Sequence, residues 1–375
     1  MSELKLDTNT KEQIFEILFS CSNAQQSISN NNKSLEKIFC YSRLESKFLN
    51  FCSSSEQKKR VTKQKKQRDI QSLLAMGVYS EIANLLTKKN IFFMPLKGIQ
   101  LNLEFYENMN DRNIRDVDLL IQETDLQLVL QILEEHNYFF EDKELRLSDY
   151  SFENHRYDIP PITNESGIRI EFHLRILHKD IDPDNKFAAR AITTCKKIRY
   201  GNNEVSVMSY ELLTLHLIYH STIKEYFDNG LICLLDIKKM NEKIILDQNE
   251  ILFIAKNYQL FKSTSAVFSI LKKRGIIEGL NQKKYHIYKE KNLDDFEELL
   301  IYNMPDPYFS SFINIILNPA LIFQSLKRFS KDKGQKERVS LKLNKIFTKC
   351  VKFFVDKNFR SKIIKSHRMK KLLTD

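Results

Sequence analysis

Two short apolar segments of this chain carry chemically active residues at every second position. Asp116 and Asp118 open the first segment, and Glu171 and His173 alternate with apolar residues in the second. Residues two apart in a β-strand point to the same side of a sheet. We therefore expect a sheet on which Asp116 and Asp118 share one face, and on which Glu171 and His173 also share a face.

The region around these segments alternates between strand patterns and helix patterns. The patterns typical of strands fall at residues 91–96, 116–121, 156–162 and 168–174. Helices are expected from Gly98 and over residues 125–137, where apolar residues recur at helical spacing. Turn-forming residues at 164–167 predict that the last two strands form a hairpin. This order predicts an α/β (α+β) fold with a mixed sheet.

Helical patterns flank this unit on both sides. Residues 1–55 are helical and polar, and the Lys/Arg/Gln-rich run at residues 57–68 predicts the exposed first half of a further helix. From about residue 210 the pattern is helical to the end of the sequence. We expect three regions: an N-terminal helical region (1–67), an α/β core (68–205) and a C-terminal helical domain (206–375).

The positive charge of the chain is concentrated near its C-terminus. The net charge is +11, and residues 327–375 carry 17 Lys and Arg against four acidic residues, so the remainder is close to neutral. A basic tail from Lys327 favours an anionic partner such as RNA or a membrane surface. The lysines at 342–352 also fit the plain alternative of a solvated helix face.

Composition excludes several other classes of protein. The six cysteines are dispersed without a C-x-x-C pair, which argues against a zinc or redox motif. No apolar run approaches the roughly 20 residues that span a bilayer. The N-terminus lacks the pattern of a secretory signal, so a cytoplasmic location is expected.

Carboxylates that converge from neighbouring strands suit the binding of divalent metal ions. Asp116 and Asp118 are the expected bridging pair, and Glu171 is expected to complete the metal site or to take a proton from an acceptor group. Two Mg²⁺ ions held in this way would neutralise phosphate oxygens and orient the acceptor. The sequence therefore predicts catalytic and metal-binding roles for these three residues.

A second group of residues suits the binding of phosphate. Gly98 lets backbone N–H groups approach phosphate oxygens at the start of a helix, where the helix dipole favours anions. Lys97 and Arg112 would add positive charge. A nucleoside triphosphate (NTP) is the expected substrate of such a site.

These residues resemble the bacterial "uncharacterised nucleotidyltransferase" family of the polymerase-β-like nucleotidyltransferase superfamily and, more distantly, abortive-infection-type nucleotidyltransferase toxins. These families carry a strand ending in Leu-Lys-Gly, a helix, an Arg and Asp-x-Asp-Leu. The first family continues with a strand His, Glu-x-His, a helical Leu-Leu with a following His, and Leu-Asp. The matching residues are Leu96-Lys97-Gly98, Arg112, Asp116-Val117-Asp118-Leu119, His155, Glu171-Phe172-His173, Leu212-Leu213 with His216, and Leu235-Asp236.

The resemblance covers roughly residues 68–240. It implies a minimal nucleotidyltransferase fold, Mg²⁺ dependence and an NTP donor, with an unidentified acceptor. Members of the family are thought to act beside surface-polysaccharide or peptide-modifying enzymes. This sequence departs from the superfamily at Gly98-Ile99, where a Gly-Gly or Gly-Ser pair is usual.

The histidines leave alternatives open. His155 and His173 are expected among the residues that bind the nucleotide, although they also fit structural roles, acceptor binding, or a hydrogen bond to Glu171. His216 and His220 have a spacing that can hold zinc on a helix, but packing in the core or beside a nucleotide fits equally.

Three functions remain open at this point. The first is nucleotidyl transfer to an unidentified acceptor, for instance in surface-polysaccharide or natural-product biosynthesis. The second is a toxin-like transfer to tRNA or protein that uses the basic tail. The third is a binding module that retains the fold without turnover.

Overall fold

The structure, a computed structural model, describes residues 8–19, 32–108, 111–141, 146–150, 159–225, 230–278 and residue 297. His155 and the basic segment from Lys327, including the lysine stripe at 342–352, lie outside the described residues. The predictions for these segments stay predictions.

The described residues form helices around one larger sheet. The helices are α1 (Thr8–Phe19), α2 (Asn32–Tyr41), α3 (Glu45–Phe48), α4 (Ser55–Lys88), α5 (Lys97–Glu104), α6 (Leu126–Glu135), α7 (Lys186–Thr193), α8 (Tyr210–Tyr219), α9 (Gly230–Lys243), α10 (Gln248–Asn257) and α11 (Phe261–Lys273). The strands are β1 (Phe93–Pro95), β2 (Asp116–Ile121), β3 (Phe139–Phe140), β4 (Ile162–Thr163), β5 (Arg169–His173), β6 (Lys196–Tyr200) and β7 (Asn203–Val207).

The larger sheet is mixed, with strand order β1-β2-β5-β4-β3. Its centre is the parallel pair of β2 and β5, in which Asp118 lies opposite Glu171. Strand β1 is antiparallel to β2, and β4 is antiparallel to both β5 and β3. The predicted α/β class with a mixed sheet is confirmed.

Strand β2 separates two apolar clusters because its side chains alternate between the two faces of the sheet. Val117, Leu119 and Ile121 pack into a cluster with α4 and α6. Leu120 belongs instead to the cluster formed by the N-terminal and C-terminal helices. Asp118 shares the face of Leu120, so the sheet presents this carboxylate towards the helical side of the molecule.

Helix α4 connects the N-terminal helices with the sheet. Its first half carries the predicted run of exposed basic residues, and its second half packs on the sheet. The Ser54 hydroxyl accepts a hydrogen bond from the backbone N–H of Gln57 and caps the helix start. The helix continues through the region boundary expected between residues 67 and 68, and that boundary stays a prediction.

Several elements differ from the sequence expectation. The hairpin at the predicted turn is shorter than expected, because β4 has two residues and pairs with β5 only through Ile162 and Ile170. Helix α7 and the separate hairpin β6–β7 were not predicted. Among the described residues, none of the helices combines the length and the apolarity that crossing a membrane requires.

Candidate active site

The parallel register of β2 and β5 brings three potential ligands together. One ligand atom each from Asp118, Glu171 and His173 lies within 4.8 Å of the other two. Asp118 and Glu171 are direct neighbours across the strand pair, and His173 follows two residues later on the same face. The nitrogen Nε2 of His173 donates to Oδ1 of Asp118 at 2.7 Å, whereas Oε2 of Glu171 is 3.9 Å from this nitrogen. The hydrogen bond of His173 therefore runs to Asp118 rather than to Glu171.

Lys97 completes the immediate surroundings of Asp118. Its ammonium group donates to Oδ1 of Asp118 at 2.7 Å. The backbone N–H of Leu96 also donates to the backbone carbonyl of Asp118 at 3.0 Å, which fixes the start of α5 against β2. Lys97 has a φ of 49°, in the left-handed region that residues with a side chain rarely adopt. Such conformations cluster at functional sites, where the surrounding structure holds them in place.

The ion pair between Lys97 and Asp118 determines the charge of both groups. Burial alone would raise the pKa of Asp118, but Lys97 and the hydrogen bond from His173 hold its pKa well below the ordinary value. Burial likewise disfavours the charged form of Lys97, yet the attraction to Asp118 leaves the pKa of Lys97 raised. The carboxylate is therefore ionised, and the ammonium is protonated, throughout the neutral pH range.

Asp116 shares the sheet face of Asp118 but does not belong to the three-residue cluster. Its carboxylate is half-buried and accepts from Arg115 at 2.9 Å. Glu171 is paired in a similar way, because Nε of Arg169 lies 3.1 Å from its Oε1. The three predicted carboxylates thus lie at one edge of the strand pair, two of them within the cluster and Asp116 beside it.

Arg112 forms its ion pair with Asp236 of α9 and not with a residue of the cluster. Its Nε donates to both oxygens of Asp236, at 2.9 and 3.2 Å, and the hydroxyl of Tyr106 donates to Asp236 Oδ1 at 2.7 Å. Asp236 has no exposed surface, and its burial raises its pKa although Arg112 opposes this shift. Nη1 of Arg112 donates to the backbone carbonyl of Asn113 at 2.8 Å. The predicted phosphate-binding Arg112 is thus held in a buried ion pair.

Gly98 follows Lys97 in the first turn of α5. A Cβ atom at this position would contact only Ile114 at 3.7 Å and Arg112 at 3.8 Å, which are ordinary van der Waals distances. The protein itself therefore leaves room for alanine here. A requirement for glycine would have to come from a bound group that approaches the backbone.

His216 is buried in α8, and His220 follows directly after this helix and is half-buried, with the two ring centroids 6.4 Å apart. Burial, followed by repulsion from Lys97, lowers the pKa of both histidines well below the ordinary value. Nδ1 of His216 has no hydrogen-bond partner among the described residues. Neither histidine belongs to the cluster of potential metal ligands found in the described part of the chain.

The cluster fits a divalent cation through its carboxylates. Mg²⁺ prefers oxygen ligands, and Asp118 and Glu171 provide them from adjacent strands. The ammonium of Lys97 already contacts Oδ1 of Asp118, so a metal ion would use Oδ2 or take the place of this ammonium group. His173 fits a supporting role, because a hydrogen bond to a metal-binding carboxylate orients that ligand.

Two parts of this arrangement do not follow from the sequence patterns. The patterns assign Lys97 to phosphate and do not reveal its ion pair with Asp118. The sequence marks Asp236 only as part of the Leu-Asp pair in the family resemblance. In the structure, Asp236 is the ion-pair partner of Arg112, 124 residues away in sequence. The signal available for Asp236 is a lone acidic residue in an otherwise apolar helical segment, since buried charges are usually paired.

The comparisons with known proteins agree with this geometry. The sequence profile described as "uncharacterised nucleotidyltransferase" matches residues 37–274, which is more than half of the chain. The chain therefore belongs to the uncharacterised nucleotidyltransferase family. Comparison with curated proteins finds no match, and comparison with solved structures finds none either. The matched range begins before and ends after the 68–240 range covered by the sequence resemblance.

Proposed function

We propose that the protein is a Mg²⁺-dependent nucleotidyltransferase that transfers a nucleoside monophosphate from an NTP to an acceptor. The observation that carries this proposal is the cluster of Asp118, Glu171 and His173 on adjacent parallel strands in a chain of this family. An acceptor oxygen would attack the α-phosphorus, the bond to the β-phosphate would break, and pyrophosphate would leave. The acceptor would lose its proton during the attack. Surface-polysaccharide or natural-product biosynthesis is one setting that fits an acceptor hydroxyl.

The carboxylates have distinct roles in this proposal. Asp118 and Glu171 hold the metal, and Asp116, on the same face, supports a second ion. Glu171 would also accept the proton of the acceptor. When bound, the metal would neutralise phosphate charge and lower the pKa of an acceptor hydroxyl. His173 orients Asp118 by its hydrogen bond.

The phosphate-binding roles fall to the start of α5. Lys97 would exchange its contact with Asp118 for a phosphate oxygen when the metal takes over the carboxylate, and Gly98 would let the phosphate reach the helix backbone. Arg112 remains paired with Asp236, so this pair largely neutralises its charge. Its side chain lies next to Gly98 and would stabilise the backbone there rather than bind the nucleotide directly. His155, predicted to bind the nucleotide or acceptor, is retained in the proposal from sequence alone.

The test is the variant Asp118→Asn, studied by calorimetry with Mg²⁺ and each of the four NTPs and by release of pyrophosphate. We expect wild-type protein to bind at least one Mg²⁺–NTP complex. The variant should lose turnover by about 10²-fold or more, the scale of removing one group that stabilises charge in a transition state. Glu141→Gln is the matched control, because Glu141 is also a carboxylate near Arg169, at 3.8 Å, and lies outside the cluster.

Two outcomes would contradict the proposal. Full activity of Asp118→Asn would show that the metal site is misassigned. Absence of binding of any NTP to folded wild-type protein would favour the alternative of a binding module that keeps the fold without turnover.

A second candidate changes the acceptor to RNA, and one feature of the described residues favours it. The first half of α4 exposes Lys58, Lys59, Lys63 and Lys66. A cleft of about 540 Å³ beside it, between α2 and α4, is lined by Lys33, Lys37, Arg60, Arg68 and Glu36 among others. Arg60 pairs with Glu36 and Arg68 with Glu45, so Lys33 and Lys37 add to the positive charge of the α4 lysines. Such a surface matches a phosphate backbone.

RNA binding can be tested by its salt dependence. Changing Lys58, Lys59, Lys63 and Lys66 together to Gln should weaken binding of a single-stranded RNA. It should also reduce the slope of log K against log salt by about 0.7 for each phosphate that the protein no longer neutralises. The double variant Lys88→Gln/Lys89→Gln, at the other end of the same helix, is the control. Equal slopes for both variants would argue for a small or carbohydrate acceptor.

A further inference from the structure

Arg169 is the first residue of β5 and lies on the same face of the sheet as the candidate active site. In the parallel pair of β2 and β5, Arg169 lies opposite Asp116. Two residues further along β5, Glu171 lies opposite Asp118. The exposed fraction of the side chain rises from 6% at Asp118 to 26% at Glu171 and 44% at Arg169. Arg169 therefore presents its guanidinium at the open end of this face, where a molecule from solvent would arrive first.

Arg169 pairs with the carboxylate that is proposed to accept the proton of the acceptor. Its Nε lies 3.1 Å from Oε1 of Glu171, whereas Oε1 of Glu141, just after β3, is farther away at 3.8 Å. Ion pairs between partly exposed side chains contribute little to stability, because water screens both charges. Stability is thus a weak reason for an arginine at this position, and its contact with Glu171 can be exchanged for a contact with another anion.

The charges of the three predicted carboxylates are balanced by neighbouring side chains, because each carboxylate has a lysine or arginine partner. The three pairs are Lys97 with Asp118, Arg115 with Asp116, and Arg169 with Glu171, at 2.7, 2.9 and 3.1 Å respectively. A carboxylate that also holds a metal ion no longer neutralises its cationic partner fully. With a divalent ion at Asp118 and Glu171, the positive charges of Lys97 and Arg169 would therefore attract anionic groups of the substrates.

Lys97 and Arg169 approach the candidate site from opposite sides of β2, because the strand order is β1-β2-β5. Lys97 follows β1, and on that side the backbone N–H of Leu96 donates to the backbone carbonyl of Asp118. Arg169 and Glu171 belong to β5, on the other side. The start of α5, which is proposed to hold the triphosphate, is thus on the β1 side. An anion held by Arg169 would lie on the β5 side, next to the proposed proton acceptor Glu171.

We propose that Arg169 binds a phosphate group of the acceptor, and therefore that the acceptor is a phosphorylated compound. This inference rests on the proposed nucleotidyl transfer. The planar guanidinium group can bind two phosphate oxygens at once, which gives it an advantage over lysine for this ligand. Residues two apart on a strand are about 6.6 Å apart, so the phosphate of the acceptor would lie roughly this far from the hydroxyl that reacts beside Glu171.

Two substitutions separate the charge of Arg169 from its shape. Arg169→Gln removes the charge, and Arg169→Lys keeps the charge without the planar group. Arg146→Gln is the matched control, because Nε of Arg146 lies 3.0 Å from Oε1 of Glu134, and the side chain of Glu134 is as exposed as that of Glu171. Glu134 belongs to α6, which packs on the opposite face of the sheet. Thermal unfolding shows whether each variant is folded.

Calorimetry with inorganic phosphate as the probe measures binding at Arg169. The protein is first saturated with Mg²⁺ and a non-hydrolysable NTP analogue, and phosphate is then titrated. We expect the wild type and Arg146→Gln to bind phosphate equally, Arg169→Gln to bind it about tenfold or more weakly, and Arg169→Lys to lie between them. The affinity for the NTP analogue should be the same in all four proteins, because the triphosphate is bound on the other side of β2.

Three results would overturn the inference. Equal phosphate binding by the wild type and folded Arg169→Gln would show that Arg169 does not bind phosphate. Failure of the wild type to bind phosphate in the presence of the NTP analogue would show that no separate phosphate site exists beside the nucleotide. Weaker binding of the NTP analogue by Arg169→Gln would assign Arg169 to the triphosphate instead of the acceptor.

These failures differ from a failure of the proposed function. If NTP binding depends on Asp118 while Arg169→Gln changes nothing, only the phosphorylated acceptor is refuted. If folded wild-type protein binds no NTP but its binding of phosphate alone depends on Arg169, then Arg169 is an anion site, and nucleotidyl transfer is refuted together with the assignment of that anion to an acceptor.

Discussion

Two buried aspartates of this protein, Asp118 and Asp236, have almost the same set of partners and opposite chemical behaviour. Asp118 accepts a hydrogen bond from the cationic side chain of Lys97 at 2.7 Å, and both oxygens of Asp236 accept from Nε of Arg112, at 2.9 and 3.2 Å. Each also accepts a second hydrogen bond at 2.7 Å, from His173 and from Tyr106. The pKa of Asp118 nevertheless lies well below its ordinary value, whereas burial raises the pKa of Asp236.

The difference follows from the location and chemistry of the partners. Lys97 is joined at Asp118 by His173, which lowers the pKa of Asp118 both by its hydrogen bond and by electrostatic attraction, whereas Tyr106 adds only a hydrogen bond to the effect of Arg112 on Asp236. Asp236 is completely buried, while the neighbours of Asp118, Glu171 and His173, are half-buried at the edge of the sheet. We therefore expect the Asp118 pair to exchange partners when a ligand binds and the Asp236 pair to stay intact.

Breaking the Asp236 pair should have the largest effect on stability. Asp236→Ala leaves Arg112 buried without its partner, and we expect it to lower the free energy of unfolding by about 3–5 kcal/mol. Denaturant unfolding measures this change. The triple variant Arg112→Met/Asp236→Leu/Tyr106→Phe replaces the whole network by apolar groups and should recover most of the loss.

Asp118→Asn is the comparison for that experiment. It keeps the size of the side chain, and Lys97 still feels the charges of Asp116 and Glu171. We expect a clearly smaller loss of stability than for Asp236→Ala. A loss equal to that of Asp236→Ala would mean that both aspartates are structural, and the contrast between them would be wrong.

The pH dependence of stability tests the buried histidines on the Asp118 side. His216 and His220 have pKa values lowered well below the ordinary 6.5, so they stay neutral in the folded protein and gain protons on unfolding in mild acid. Their contribution to stability is present above pH 6.5 and is lost as the pH falls towards their folded pKa values. Two protons taken up on unfolding give a slope of up to about 2.7 kcal/mol per pH unit.

The measurement is the free energy of unfolding between pH 7.5 and about pH 5. Replacing His216 by Gln should halve the slope, and replacing both histidines should remove it. His178→Gln is the control, because His178 is exposed and lies away from both aspartates. A slope that persists in the double variant would show that other groups are responsible for the acid sensitivity.

The sequence predicted the strands around Asp118 better than the elements beyond them. The bounds of β2 agree with the expected 116–121, because buried Val117, Leu119 and Ile121 alternate with polar residues at the start of the strand. The hairpin β6–β7 was missed because β6 is largely exposed and shows no clear alternation. The turn residues Gly201 and Asn202 between two β-prone runs were the available signal.

The candidate site was predictable where neighbouring strands define it and not where distant helices contribute. Glu171 could be expected beside Asp118, since both alternate with buried residues in adjacent strands. The partner of Arg112, Asp236, depends on tertiary packing of segments 124 residues apart, which spacing does not reveal. The sequence marks Lys97 as important, but its ion pair with Asp118, 21 residues away, depends on how α5 packs against β2.

Lys97 gives a sharper test of partner exchange at Asp118. If its ammonium occupies the position of a metal ion, then Lys97→Met should increase the affinity for a divalent cation about tenfold, or about 1.4 kcal/mol, in the absence of nucleotide. Isothermal calorimetry with Mg²⁺ or Mn²⁺ measures this effect. Lys88→Met is the control, because it removes an exposed cation at the end of α4, outside the cluster, and should leave metal affinity unchanged. Equal or weaker metal binding by Lys97→Met would show that Lys97 does not compete with a metal.

The smallest expected effect concerns Gly98, the residue after Lys97. Gly98→Ala should leave the free energy of unfolding unchanged or raise it by up to about 1 kcal/mol, because a helical glycine is unfavourable and the added Cβ would meet no atom closer than 3.7 Å. The same methyl group would obstruct a phosphate that approaches the backbone of α5. We therefore expect a variant that is as stable as the wild type or slightly more stable and that binds Mg²⁺–NTP less tightly.

The matched control is Gly77→Ala in α4, where a Cβ has no neighbour within 4 Å. It should stabilise the protein by a similar amount, about 0.5–1 kcal/mol, without any change in nucleotide affinity. Thermal unfolding and nucleotide titration of the two variants separate the helix effect from the ligand effect. If both variants bind nucleotide as the wild type does, Gly98 has no role in phosphate binding. The proposed phosphate contact at the start of α5 would then depend on Lys97. If only Gly98→Ala loses affinity, phosphate binds at the start of α5, beside the ion pair of Lys97 and Asp118 rather than the ion pair of Arg112 and Asp236.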